Sequence, residues 1–246
     1  MTRKPAIQAI NNAGALLVFP IDNRKEPASL WSHFHPRSPM RWEWDEAGDN
    51  RVAVLWHLKT ELSTTRQVVY TKWYQGRATY FSKELFTALL CALNNGNPAE
   101  HRGLSRNALQ LLEILDSESP LSTKELKRMS GLQGRANEAA YNRALKELWS
   151  RLLIVAFGEV EDGAFPSLAV GSTRVLFEDL WREASKTTPA IAQSRIHKVL
   201  PPTSPFLKFF QRLLKELPPR TGEAPATGKK RKKGPAVPGE VSFSDL

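Results

Sequence analysis

Between Ser105 and Val170 the sequence sets out three helices followed by a β-hairpin, and few folds accept that order. Ser105 can cap a helix that carries Ala108, Leu111, Leu112 and Leu115 on one face. Pro120 interrupts it. Ser122-Thr123-Lys124-Glu125 then reads as a capping box, which starts a second helix that ends at Gly131. A turn through Gly134 leads to a third helix from about Asn137. Its apolar face is Tyr141, Ala144, Leu145, Leu148, Trp149 and Leu152, at the spacing i, i+3, i+4, i+7, i+8, i+11. Leu153 to Val160 reads as a strand, Glu161-Asp162-Gly163 as a turn, and Phe165 to Val170 as the returning strand. The expected fold class is α+β and mainly helical, built of winged-helix units, each a helix-turn-helix with a β-hairpin wing.

In a helix-turn-helix the third of these helices enters the major groove. Packing Tyr141, Leu145 and Leu148 inward turns Ala139, Asn142, Arg143, Lys146 and Ser150 outward. Arg143 can bind guanine through two hydrogen bonds, Asn142 can do the same with adenine, and Lys146 suits a phosphate. Arg135, in the turn before the helix, can reach the backbone. Lys124 belongs to the same basic stretch: Lys124 to Arg151 holds seven basic and three acidic residues. The alternative is a solvated basic face on a winged helix that contacts protein.

The first hundred residues read less sharply. Pro27 to Phe34 is expected to be a short helix and Arg51 to Leu62 a longer one. Gln67 to Tyr74 and Arg77 to Phe81 are expected to be strands joined by a two-residue Gln75-Gly76 turn. Ser82 is the expected cap of a helix through Leu93. Ser63 to Lys83 contains Arg66, Lys72, Arg77 and Lys83 with no acidic residue, interleaved with Tyr70, Trp73, Tyr74, Tyr80 and Phe81. Cations among aromatics suit a phosphate backbone with stacked or displaced bases, so Arg66, Lys72, Trp73 and Arg77 join the expected DNA contacts. Asn94 to Pro98 marks a boundary. The expected organisation is an N-terminal α+β domain over 1–98, a winged-helix domain over 99–184, C-terminal helices over 185–219 and a disordered basic tail over 220–246. No internal repeat stands out at a solenoid period.

Net charge supports a polyanionic partner. The chain has 35 basic and 25 acidic residues, a formal +10. Thr221 to Leu246, with Lys229-Lys230-Arg231-Lys232-Lys233, holds five basic and three acidic residues, so the remainder carries +8. That five-residue run is an import signal, a non-specific DNA-binding arm or a solvated tail.

Several chemistries find no support. The single Cys91 allows no intramolecular disulfide and suits a reducing compartment. His33, His35, His57 and His101 form no metal-ligand pattern, and neither a phosphate-binding Gly-Lys motif nor a dinucleotide fingerprint occurs, so no metal and no cofactor is expected. No run approaches the roughly 18 apolar residues of a spanning helix. The expected location is cytoplasmic and nucleoid-associated. The densest unusual string is Arg41-Trp42-Glu43-Trp44-Asp45-Glu46. It reads as a buried Trp pair salt-bridged to the basic hairpin. Read as a site, the indoles hold an unstacked nucleotide while Glu43 and Asp45 orient water against the sugar.

The strings Leu30-Trp31, Met40-Arg41-Trp42-Glu43-Trp44-Asp45-Glu46, Lys72-Trp73-Tyr74-Gln75-Gly76-Arg77 and Pro120-Leu121-Ser122-Thr123-Lys124-Glu125-Leu126 resemble those of AlkZ-related winged-helix proteins. These are relatives of the bacterial crosslink-repair DNA glycosylases. The resemblance runs from about Pro27 to Leu180 and implies tandem winged-helix units, binding to double-stranded DNA that is damaged or distorted, and base excision as the reaction to test. The chain contains no Gln-x-Gln, the catalytic motif of those glycosylases, so the resemblance assigns no catalytic residue. Glu43 and Asp45 remain the candidates, and enzymatic activity stays open. A transcriptional regulator and a protein-interaction scaffold are the alternatives.

Overall fold

The computed structural model describes residues 1–41, 50–161 and 166–217. Helix α1 (Arg3–Ala13) ends at Gly14, whose φ of 74° turns the chain into strand β1 (Ala15–Leu17). Only glycine fits there, because a Cβ would also stand 2.2 Å from Val199 Cγ1. Helix α2 (Leu30–Phe34) starts at Ser29, whose Oγ accepts from the Ser32 N–H. Helix α3 (Asn50–Ser63) is followed by strands β2 (Val69–Thr71) and β3 (Thr79–Phe81). Ser82 then caps helix α4 (Lys83–Leu93), as its sequence position predicts.

The second half continues with α5 (Arg106–Glu118), β4 (Leu121–Ser122), α6 (Thr123–Met129), α7 (Glu138–Ser150), β5 (Ile154–Val160) and β6 (Ser167–Ser172). Four helices complete the described chain: α8 (Thr173–Leu176), α9 (Glu178–Lys186), α10 (Pro189–Val199) and α11 (Pro205–Glu216).

The six strands of the described residues form one antiparallel sheet in the order β1-β3-β2-β5-β6-β4. The two halves repeat one plan: helix, strand, two helices, two strands. In each, the first strand pairs with the last. The halves meet where Tyr70 lies opposite Ala156, so the strand order has the same pattern from either edge. Ser82 and Ser172 occupy matching places, each capping the helix after the last strand. The repeat is one of elements rather than of residues, which is why scanning the sequence does not reveal it.

The hairpin is in the expected place with a different register. Gln75 and Gly76 both have positive φ, and the Arg77 N–H donates to the Tyr74 carbonyl at 2.9 Å, so the tight turn is there. A two-residue turn at these positions would set Thr71 opposite Tyr80. Instead Thr71 lies opposite Thr79, a shift of one residue. The Thr71 hydroxyl accepts from the Trp73 N–H at 3.2 Å and bends the strand before the turn. Alternation is lost as a result, and Trp73 and Tyr74 are both buried.

Helix α4 is the centre of the core. Every residue from Leu85 to Leu93 is buried, because α9 and α10 cover the side left open by the sheet. Cys91 belongs to this core, and its Sγ donates to the Thr187 carbonyl at 3.1 Å. The stretch after α4 is tied to the end of α7. Arg151 is buried; its Nε donates to Asn94 Oδ1 at 3.1 Å, while Asn94 Nδ2 donates to the Arg151 carbonyl at 3.0 Å. At the start of α6, the Ser122 Oγ accepts from the Glu125 N–H at 3.0 Å. Ser122→Ala is expected to cost about 1 kcal/mol, read as a lower urea midpoint at unchanged slope.

Candidate nucleic-acid interface

Helix α7 is held by one face. Tyr141, Ala144, Leu148 and Trp149 are buried, and the Tyr141 hydroxyl donates to the Thr123 carbonyl at 2.7 Å, which fixes α7 against the start of α6. Lys127 of α6 bonds Glu138 at the first turn of α7, and that hydrogen bond holds the Glu138 carboxyl below the usual carboxylate range. The opposite face is turned to solvent. Asn142, Arg143 and Lys146 are exposed on it, and Arg135 is exposed in the short helical turn just ahead. Lys124, in the first turn of α6, is also exposed. Asn142 is already engaged locally: its Nδ2 donates to Glu138 Oε1 at 3.1 Å.

Leu145 is half-buried, not sealed in the core, because it opens onto a cleft. The cleft has a volume of about 850 Å³ and three walls. One is the hairpin segment from Lys72 to Gly76. The second is α7, through Asn142, Leu145, Lys146 and Trp149. The third is α11, through Phe209, Arg212, Leu213 and Glu216. Both helices use the spacing i, i+3, i+4, i+7, so two stripes face each other. Helix α11 is anchored by aromatic edges. Phe209 meets the Trp73 ring at 4.8 Å and the Tyr74 ring at 5.0 Å, and Phe206 meets Tyr74 at 5.0 Å.

The structure divides the expected contacts into groups. Lys72, Trp73, Asn142 and Lys146 share the cleft. Arg143, Arg135 and Lys124 lie outside it on the α6–α7 surface. Arg77 is exposed at the hairpin turn. Arg66 is also exposed, with its guanidinium 5.5 Å from the Phe157 ring. Trp73 is 2% exposed and its Nε1 donates to the Ser150 carbonyl at 3.2 Å, so its indole serves the core and gives the cleft only an edge. Lys72 is half-buried, and loss of hydration lowers its ammonium from the ordinary lysine value. Arg212 is the residue that sequence reasoning misses. The amphipathic pattern of the last helix is visible in the chain, but not which wall it completes. Glu43, Asp45, Trp42 and Trp44 lie outside the described residues, as do Asp162 and Gly163 of the expected turn and the tail from 218 onward.

A second polar cluster joins the halves. Lys59 on α3 is 4% exposed and its Nζ lies 2.5 Å from Glu159 Oε1, while Thr60 donates to Glu159 Oε2 at 3.2 Å. A register break between Ala156 and Glu159, with Gly158 at φ 84°, aims Glu159 at Lys59. Burial lowers the Lys59 ammonium from its ordinary range, and the bond to Glu159 opposes that shift. Among the described residues, no group of His, Cys, Asp and Glu could hold a metal ion, and no helix is long and apolar enough to cross a membrane.

The fold is a mixed helix-and-sheet protein with a basic helical surface beside a cationic cleft. The family model described as "AlkZ related" matches residues 1–211, so the chain belongs to the AlkZ-related family. Membership makes it a relative of DNA-repair glycosylase-like proteins. No curated protein matches the chain, and no solved structure does.

Proposed function

We propose that α5, β4, α6, α7, β5 and β6 form a winged helix that binds double-stranded DNA through α7, in a repair-related role. The observation that carries this reading is the pairing of faces on α7. One side is locked into the core by Tyr141 and Leu148, and the other exposes Arg143 and Lys146 with Arg135 and Lys124 close by in the chain. A rigid, backed helix with exposed cations is what phosphate and base-edge contact requires. The order helix, strand, helix, helix, strand, strand, with β4 on β6 and β6 on β5, supports the winged-helix assignment. Family membership supports repair as the setting.

The test is a binding titration on intact, abasic and N-alkylated duplexes at several salt concentrations. Affinity is expected to fall steeply with salt and to favour the damaged duplexes over any one sequence. A sharp preference for one intact sequence would make the protein a regulator. Absence of salt-dependent DNA affinity would make it a scaffold and end this reading. Strand breaks after alkali on the alkylated duplex would add catalysis, and their loss in Asp45→Asn or Glu43→Gln would place it.

A further inference from the structure

Helix α7 has two unlike sides that share one backbone. Arg143 faces open solvent, whereas Asn142, Leu145 and Trp149 face a cleft whose far wall is α11. A duplex is read by a helix that stands clear enough to enter a groove roughly 12 Å wide. The open side of α7 meets that condition and the enclosed side does not, because α11 and the hairpin stand in front of it.

The cleft is nonetheless built for an anion with an apolar component. Lys72, Lys146 and Arg212 line it from three different elements. Its carboxylate is Glu216, which lies 3.9 Å from Arg212 Nε. Neither Lys72 nor Lys146 has an ion-pair partner among the described residues. The lining mixes these polar groups with apolar edges of Trp73, Trp149 and Phe209, and the Arg212 guanidinium lies 4.8 Å from the Phe209 ring centroid. Cations beside the edges of buried aromatic rings match a single strand, whose phosphates meet the charges while its unpaired bases reach the apolar edges. At about 850 Å³ the cleft falls within the range of roughly 300–1,000 Å³ that small ligands occupy, which suits one or two nucleotides and excludes a duplex.

We infer that the cleft between the hairpin, α7 and α11 holds a single-stranded stretch continuous with duplex on the open side of α7, so that the preferred ligand is a duplex–single-strand junction. The inference rests on the DNA-binding reading of α7 and adds the class of DNA. Lys146 is exposed at the border of the two sides, where the strand leaves the duplex.

Fluorescence anisotropy with four probes tests it: a blunt duplex, the same duplex with a single-stranded 3′ overhang, the same duplex with a 5′ overhang, and the overhang strand alone. The wild type is expected to bind one of the overhang duplexes about tenfold more tightly than the blunt one. Arg212→Glu should remove that advantage and leave blunt-duplex affinity within about twofold, since Arg212 stands on α11 across the cleft and is exposed, so the fold survives. Lys72→Ala should act in the same direction. Equal affinity for blunt and overhang duplexes in the wild type would overturn the inference and leave the cleft to a peptide. An equal loss on both probes in Arg212→Glu would also overturn it. Failure of every probe to bind in a salt-dependent way would instead defeat the reading of α7 itself.

Discussion

Reversing Arg143 and Lys146 together to Glu is expected to weaken duplex binding by about 100-fold or more. Hydrogen bonds to charged groups contribute roughly 1.5–3 kcal/mol each, and two are removed while two repulsive charges are added. Both side chains are exposed on α7, and the residues that hold the helix are Tyr141, Ala144, Leu148 and Trp149. The circular dichroism spectrum and melting temperature should therefore stay as they are. The slope of log affinity against log salt should flatten by about 0.9 for each phosphate that the variant no longer neutralises. Unchanged affinity in a folded double variant would move the duplex surface away from α7, first to Lys72 and Arg77 of the hairpin.

Glu159→Gln is expected to lower stability by about 3–5 kcal/mol, the loss that follows when one partner of a buried ion pair is removed. Lys59 is 4% exposed and its Nζ has Glu159 as its anionic partner at 2.5 Å, so the variant leaves an ammonium enclosed without a counter-charge. The loss should depend on pH with a definite sign. Burial lowers the folded-state Lys59 value below the ordinary 10.5, so the unfolded chain binds more protons there. Stability contributed by Lys59 is then present above 10.5 and is lost as pH falls through the lowered value. Without Glu159 that value falls further, so the deficit of the variant is largest near neutrality and shrinks as pH rises toward 10.5. Urea denaturation across pH measures it. A deficit below about 1 kcal/mol at neutral pH would show that Lys59 finds water or another acceptor. Lys59→Met combined with Glu159→Leu should recover most of the loss, because two apolar side chains of similar volume need no pairing.

The second half of the fold is more legible in the sequence than the first, for a physical reason. Helices α5 and α6 begin at Ser105 and Ser122, whose side chains cap them, and α5 and α7 each present one apolar stripe, so local chemistry and long-range packing agree. Helix α1 gives little sign of itself, since Pro5, Asn11 and Asn12 weaken the pattern and only Ala6, Ala9 and Ile10 are buried. Strand β4 is two residues long and exists only because β6 offers it an edge. The hairpin strands are shorter than their composition suggests because the Thr71 hydroxyl, which shifts the register, carries no periodic signal. Of the candidate site, outward Arg143 and Lys146 follow directly from helical spacing, and Arg135 from its place in the turn ahead of the helix. The cleft does not. It needs Lys72, Lys146 and Arg212, spaced by 74 and 66 residues, and no local rule joins them.

The covering of α4 by α9 and α10 has a consequence for motion. Helix α4 leaves the last strand of the first half, while α9 and α10 follow the last strand of the second and pack on α4, with Leu180, Trp181, Ala184, Ala192 and Ile196 buried. A hinge between the halves would have to expose Leu85 to Leu93 to water. The halves are therefore joined through a shared core, and changing the spacing of their surfaces requires that core to open. A ligand that touches both halves would meet surfaces already held at one spacing, and its own shape would decide whether it matches.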